Sequence, residues 1–244
     1  MMTKKTSIGA DRAAGFTLVE LLTVMVIVSI LLSVAAVGIA RIDRGQKTTT
    51  SVTLIEALAS EARAIAIGEG TRTRLMIHND LSDTENPGRY LRYFVIAAEE
   101  KDETGEVEDG GGSRWRITSR GTLLSDGVFF DHELSKVASS KISAANPSDD
   151  SSFTGFGEWQ EGRIDFPGAP RAEQDAYYYE FNPEGICVHE DSLSPGGVII
   201  LSEGNSGGPG RDPILNDSNK AGFVIWRNGS SSIYRDIPGL VNNQ

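Results

Sequence analysis

The chain has a single cysteine in 244 residues, Cys187, so no internal disulfide can form. Positive charge is also scarce. Against 34 Asp and Glu stand 23 Lys and Arg, a formal net charge of −11. Lys4, Lys5 and Arg12 less Asp11 contribute +2 of this, so the chain from Phe16 onward carries −13. An acidic surface repels phosphate backbones and no Lys/Arg cluster offsets it, which argues against nucleic acid as a partner. Histidine is rarer still. His78, His132 and His189 show no metal-ligand spacing, so no metal or other cofactor is expected. No repeat of fixed period is present.

A further absence is local. Between Phe16 and Ala40 there is no proline, no glycine before Gly38, and one ionisable residue, Glu20. As a helix rising about 1.5 Å per residue this stretch spans roughly 37 Å, against a hydrocarbon core of about 30 Å. It therefore reads as a segment able to cross a bilayer. A cleaved secretory signal has a basic start, as here, but an apolar core of only about 7–15 residues ending in a small-residue cleavage site. A plain anchor leaves Glu20 without a reason, unless the carboxylate lies at headgroup depth, because an unpaired charge in the apolar region is costly. The flanking charges do not orient such an anchor: Lys4, Lys5 and Arg12 precede the run, and Arg41, Arg44 and Lys47 follow it.

The residues "GFTLVELL" starting at Gly15 resemble the processing site of type IV prepilins and type II secretion pseudopilins, with an uninterrupted apolar helix behind them. The resemblance implies cleavage by prepilin peptidase between Gly15 and Phe16, N-methylation of Phe16, and an assembly role for Glu20. A buried charge costs less when paired. The glutamate of one subunit would meet the new N-terminal ammonium of a neighbour. The resemblance further implies a leader over 1–15, a transmembrane and filament-core helix over 16–40, an amphipathic continuation over 41–70 and a β-rich extracytoplasmic domain over 71–244. Its implied partners are other pilin or pseudopilin subunits, the peptidase and the bacterial inner membrane, with the C-terminal domain periplasmic.

Beyond Ala40, Val52, Ile55, Ala59, Ala62 and Ala66 recur at three- and four-residue spacing, and Leu58 and Ile65 widen the stripe. Glu56, Ser60, Glu61 and Arg63 are expected to face elsewhere. Gly45 and Thr48–Thr50 weaken the middle of this helix, and Gly68 and Gly70 supply its stop. From Thr71 the pattern changes to short strands: Arg72–His78, Tyr90–Ala98, Arg114–Ser119, Gly127–Glu133, Arg163–Phe166, Tyr177–Asn182, Ile186–His189, Gly197–Ser202, Ala221–Arg227 and Ser231–Arg235. Asn228-Gly229 marks a hairpin turn. Two long polar connections, 99–113 and 143–162, separate strands; the second carries Phe153, Phe156 and Trp159, which should dock. The expected fold is α+β: a long N-terminal helix packed on an antiparallel sheet or sandwich domain. The order of elements, with a turn from Phe181 to Gly185 before the last strands, resembles the H-type minor pseudopilins. The chain lacks the mid-helix proline and the C-terminal disulfide of many true pilins.

Other chemistry is weakly signalled. "GNSGGP" at Gly204–Pro209 matches the nucleophile loop of chymotrypsin-fold serine proteases, with Ser206 as nucleophile, but no histidine stands in a matching context. The acidic run Asp102, Glu103, Glu106, Glu108 and Asp109 reads as a solvated loop rather than a calcium site. In "YYYEF", alternation puts Tyr177, Tyr179 and Phe181 on one face and Tyr178 on the other. Cys187 reads as inert core. The expected function is structural, not enzymatic. A membrane-anchored extracytoplasmic binding protein is the main alternative, and a protease using Ser206 the remote one.

Overall fold

The computed structural model describes residues 17–101, 114–144, 156–169, 173–189, 196–208 and 210–234, excluding the side chains of 34–45, 140–144 and 217–218. The expected leader, the acidic run 102–109 and Phe153 lie outside the described residues. Two compact units divide the chain, residues 1–43 and 44–244.

Helix α1 is Leu18–Glu69. It ends as the glycines dictate. Gly70 adopts φ +62°, and the Thr71 N–H reaches back to the Ala66 carbonyl at 3.2 Å, the bond that closes a left-handed helix terminus. Gly45 and the threonines after it do not interrupt the helical backbone. A glycine costs about 1 kcal/mol in a helix interior, less than the burial of one or two aliphatic side chains just downstream supplies.

In the second unit the strands are β1 (Thr73–His78), β2 (Tyr93–Glu99), β3 (Trp115–Ile117), β4 (Thr122–Leu123), β5 (Val128–Phe130), β6 (Gln160–Ile164), β7 (Gln174–Phe181), β8 (Cys187–Val188), β9 (Gly197–Asn205), β10 (Ile214–Ile225) and β11 (Ser231–Tyr234), with a second helix, α2 (His132–Ala144). They form two antiparallel sheets. One runs β3-β2-β1-β7-β6, with β4 also on β2 and β8 on β7; the other runs β11-β10-β9-β5. The main core gathers Val52, Ile55, Leu58, Ala59, Ala62 and Ala66 of α1 with inward residues of both sheets, among them Leu75, Phe94, Tyr179, Ile199 and Phe223. Alternation along β7 falls as expected: Tyr177, Tyr179 and Phe181 enter this core, and Tyr178 joins Met76, Val95 and Phe166 on the opposite face of the first sheet.

Several expectations need correction. The strand expected over Gly127–Glu133 stops at Phe130, because Asp131 caps a helix: its Oδ1 accepts the Leu134 N–H at 2.9 Å and its Oδ2 accepts the Ser202 hydroxyl at 2.6 Å. α2 then lies on the outer face of the second sheet, where Ala138 packs with Val198, Ile200 and Val224. β10 begins at Ile214, well before Ala221, and β4 has no counterpart among the expected strands. Glu56 and Arg63 do not simply face away. The Ser231 hydroxyl donates to Glu56 Oε1 at 2.7 Å, and Arg63 Nε donates to the Gly185 carbonyl at 3.0 Å, so the two tie α1 to β11 and to the turn after β7. Phe156 is buried and Trp159 packs against the main core, as expected of that connection.

Candidate functional site

The first turn of α1 is organised around one acid. The Thr17 N–H and the Thr17 hydroxyl both donate to Glu20 Oε2, at 3.0 and 2.9 Å, and the Glu20 N–H donates to Thr17 Oγ1 at 3.2 Å. This reciprocal pattern is a capping box, which satisfies helix N–H groups that have no carbonyl partner within the helix. It leaves Glu20 Oε1 without a hydrogen bond among the described residues. Gly15 and Phe16 lie outside the described residues, so their geometry relative to Glu20 is not defined.

Around that carboxylate the helix is apolar on every side. Large aliphatic side chains from Leu18 to Leu32 are all exposed, from 46% at Val28 to 80% at Leu18. A helix that is apolar all round is suited to lipid or to other helices, not to water. Its few hydroxyls are turned inward on their own backbone. Thr23 donates to the carbonyls of Val19 (3.1 Å) and Glu20 (2.9 Å), Ser29 to that of Met25 (2.8 Å), and Ser33 to that of Ser29 (2.8 Å). Among the described residues from Thr17 to Ser33 each hydroxyl donates within the helix, which makes Glu20 the one strongly polar feature of this described surface. Among the described residues no helix is long and apolar enough to cross a membrane. The described side chains of the apolar run end at Ser33.

The other candidates do not assemble. The hydrogen bond at Ser206 Oγ comes from the Gly208 N–H at 3.3 Å; among the described residues no histidine bonds to it. His78 is buried in the first sheet. His132 opens α2, not a strand, and stacks on Tyr177 with ring centroids 5.5 Å apart. Among the described residues, no group of three or more His, Cys, Asp or Glu side chains could hold a metal ion. Burial pushes the Cys187 thiol up to about 12, so it stays protonated and unreactive.

Thr17 is a site residue beyond Gly15, Phe16 and Glu20. Its signal was present, since Thr-x-x-Glu before an apolar run is the signature of a capping box.

Residues 11–36 match the family described as the prokaryotic N-terminal methylation motif. The segment therefore carries a prepilin-type motif of the kind found in type IV pilin-like and pseudopilin precursors. The match includes Gly15, Phe16, Thr17 and Glu20. No curated protein and no solved structure matches the chain.

Proposed function

We propose that this chain is the precursor of a structural subunit of a type IV pilus-like or type II secretion pseudopilus filament. The observation that carries the reading is the coincidence of the methylation motif over 11–36 with a helix that is aliphatic on all sides and holds one carboxylate in its first turn. Prepilin peptidase removes residues 1–15, and Phe16 becomes the methylated N-terminus. The helix from Phe16 to Ala40 sits in the inner membrane with the β-rich domain outside. In the filament these helices bundle through their aliphatic surfaces, by packing and whatever polar joints exist.

Glu20 supplies such a joint. An isolated carboxylate in hydrocarbon is costly, and removing one member of a buried pair typically costs about 3–5 kcal/mol. Thr17 engages one carboxylate oxygen. The other is open to the ammonium that cleavage creates on Phe16 of a neighbouring subunit. A finer reading is a minor, H-type subunit of a secretion pseudopilus. It is supported by the order of elements: a long helix, then strands, then a terminal β10–β11 hairpin after the Phe181–Gly185 turn.

Intact-mass measurement of the protein extracted from membranes tests the core of this. The expected chain begins at Phe16 and carries the mass of one added methyl group. A chain that retains Met1 to Gly15 overturns the reading and leaves a simple anchored protein.

A further inference from the structure

We propose that His78 is the fixed point of an acid-sensitive latch, holding the segment 79–92 over the end of β1 while its ring is neutral and releasing it when the ring is protonated. This goes beyond the filament reading and does not depend on it.

His78 is 0% exposed, and among the described residues neither ring nitrogen has a hydrogen-bond partner. Its nearest acidic atom is Asp83 Oδ2, 3.5 Å from Nε2, too long for a good hydrogen bond. That carboxylate is already engaged: Gln174 Nε2 donates to Oδ2 at 2.9 Å and the Asn86 N–H to Oδ1 at 3.0 Å. Phe166 packs edge-on against the imidazole, centroids 5.0 Å apart. The charged groups that bear on the ring are Asp83 and Asp80, which attract a proton to it, and Arg89, which repels one. β7 offers only the neutral Gln174, and the stretch after β6 only Phe166. Buried polar groups without partners are rare in folded proteins, and a charged one is far more costly than a neutral one. Imidazolium would carry a full charge and a second N–H into this dry place, where the nearest carboxylate oxygen stands too far off to bond it well.

The direction follows from linkage. Burial, outweighing the attraction of Asp83 and Asp80, holds the proton affinity of His78 below its ordinary value of 6.5. Once the segment opens and the ring meets water, that affinity returns to the ordinary value. The open form then binds more protons than the closed one. Closure is fully favoured above about pH 6.5 and weakens as pH falls below it.

The latch holds more than a loop. The Leu91 N–H donates to the His78 carbonyl at 2.9 Å, and the Leu91 carbonyl accepts the Phe130 N–H of β5 at 2.7 Å. The Arg92 carbonyl accepts the Leu124 N–H at 2.9 Å. The Tyr90 hydroxyl donates to Asp212 Oδ1 at 2.7 Å, fastening the glycine-rich connection that contains Ser206. Opening 79–92 therefore loosens a junction shared by both sheets.

Amide hydrogen exchange on the full chain in detergent micelles, corrected for the intrinsic pH dependence of exchange, tests this between pH 7.5 and pH 5. Peptides within 79–92 are expected to exchange faster at pH 5, by up to roughly thirtyfold, the ceiling set by an ordinary imidazole in the open form. Peptides from β9 should hold steady. In His78→Gln, which cannot take up a proton, the acid-induced rise should vanish. A wild-type segment indifferent to pH, or a variant that keeps the rise, overturns the proposal. Because the substitution itself puts the fold at risk, the ring of wild-type His78 is also followed by NMR. The closed form should keep this ring neutral, so that it titrates at a lower pH than that at which release begins. A ring that titrates at or above 6.5 in the closed form is equally fatal.

Discussion

α1 contains two stretches with the same backbone and opposite surfaces. From Leu18 to Leu32 every large aliphatic side chain is exposed, whatever its angular position. From Thr48 to Ala66 only one side is buried, at Thr48, Ser51, Val52, Ile55, Leu58, Ala59, Ala62 and Ala66, while Thr49, Thr53, Ala57, Ser60, Glu61 and Ala64 stay exposed. The second stretch has its partner within its own unit, and its apolar period is that of a helix lying on a sheet. The first has no such period. Its sequence calls for an apolar surround in every direction, and among the described residues these side chains stay exposed. One helix thus carries two instructions: pack on the domain, and wait for an external environment.

The sharpest way to break this comparison is at Glu20. If the first stretch is a joint between subunits, Glu20→Ala should leave membrane insertion and removal of the leader intact and abolish incorporation into filaments. A loss of about 3–5 kcal/mol corresponds to a drop of more than a hundredfold in co-purification with assembly partners. Retention of wild-type co-purification by the variant would mean that the carboxylate serves only its own helix.

A pair of matched truncations sharpens it further. Ile55 is fully buried and Ile27 is 57% exposed. Ile55→Ala should destabilise the domain by about 2–5 kcal/mol, seen as a lower denaturation midpoint with unchanged slope. Ile27→Ala should shift the same transition by no more than about 0.5 kcal/mol. Comparable shifts from both would show that the two stretches do not differ in the way their burial implies.

Much of this contrast could be read directly from the residues. The lack of polar residues in the first stretch, the stripe in the second and the glycines that end it all act locally, so periodicity exposes them. The alternation of Tyr177–Phe181 is local in the same way. What escaped was set by contacts distant in sequence. The polar run Leu215–Lys220 looks like a loop, yet β10 carries through it because the residues on either side, Ile214–Leu215 and Lys220–Ile225, both pair with β9, with a register irregularity between Leu215 and Lys220. Thr48 and Ser51 occupy buried stripe positions although they are polar. Nothing in "LMIHND" announces that His78 will pair with Ala176 of β7 and pack against Phe166 after β6. α2 is a different kind of miss. Asp131 followed by Glu133 in the first turn is a readable helix start, but Val128–Phe130 directly before it led the strand expectation to run on.

The smallest expected effect lies where the two roles of Glu20 meet. Within one chain the carboxylate caps the helix through Thr17; between chains it is proposed to bind an ammonium. Thr17→Val removes the hydroxyl but keeps the shape and the backbone N–H. It should cost the first turn about 1 kcal/mol, read as roughly fivefold faster amide exchange at residues 18–20, with the domain from Arg44 onward unaffected. Thr17→Ser restores the hydroxyl and should restore the protection, which a purely steric role for Thr17 would not allow. With the box broken, Glu20 keeps only the Thr17 N–H as a donor. Its carboxylate is then less committed within its own chain and freer to move toward a neighbour. If the Val variant still joins filaments while its first turn frays, the capping and joining roles of Glu20 are separable. If fraying and loss of assembly appear together and Ser repairs both, the cap is what aims the carboxylate at its partner.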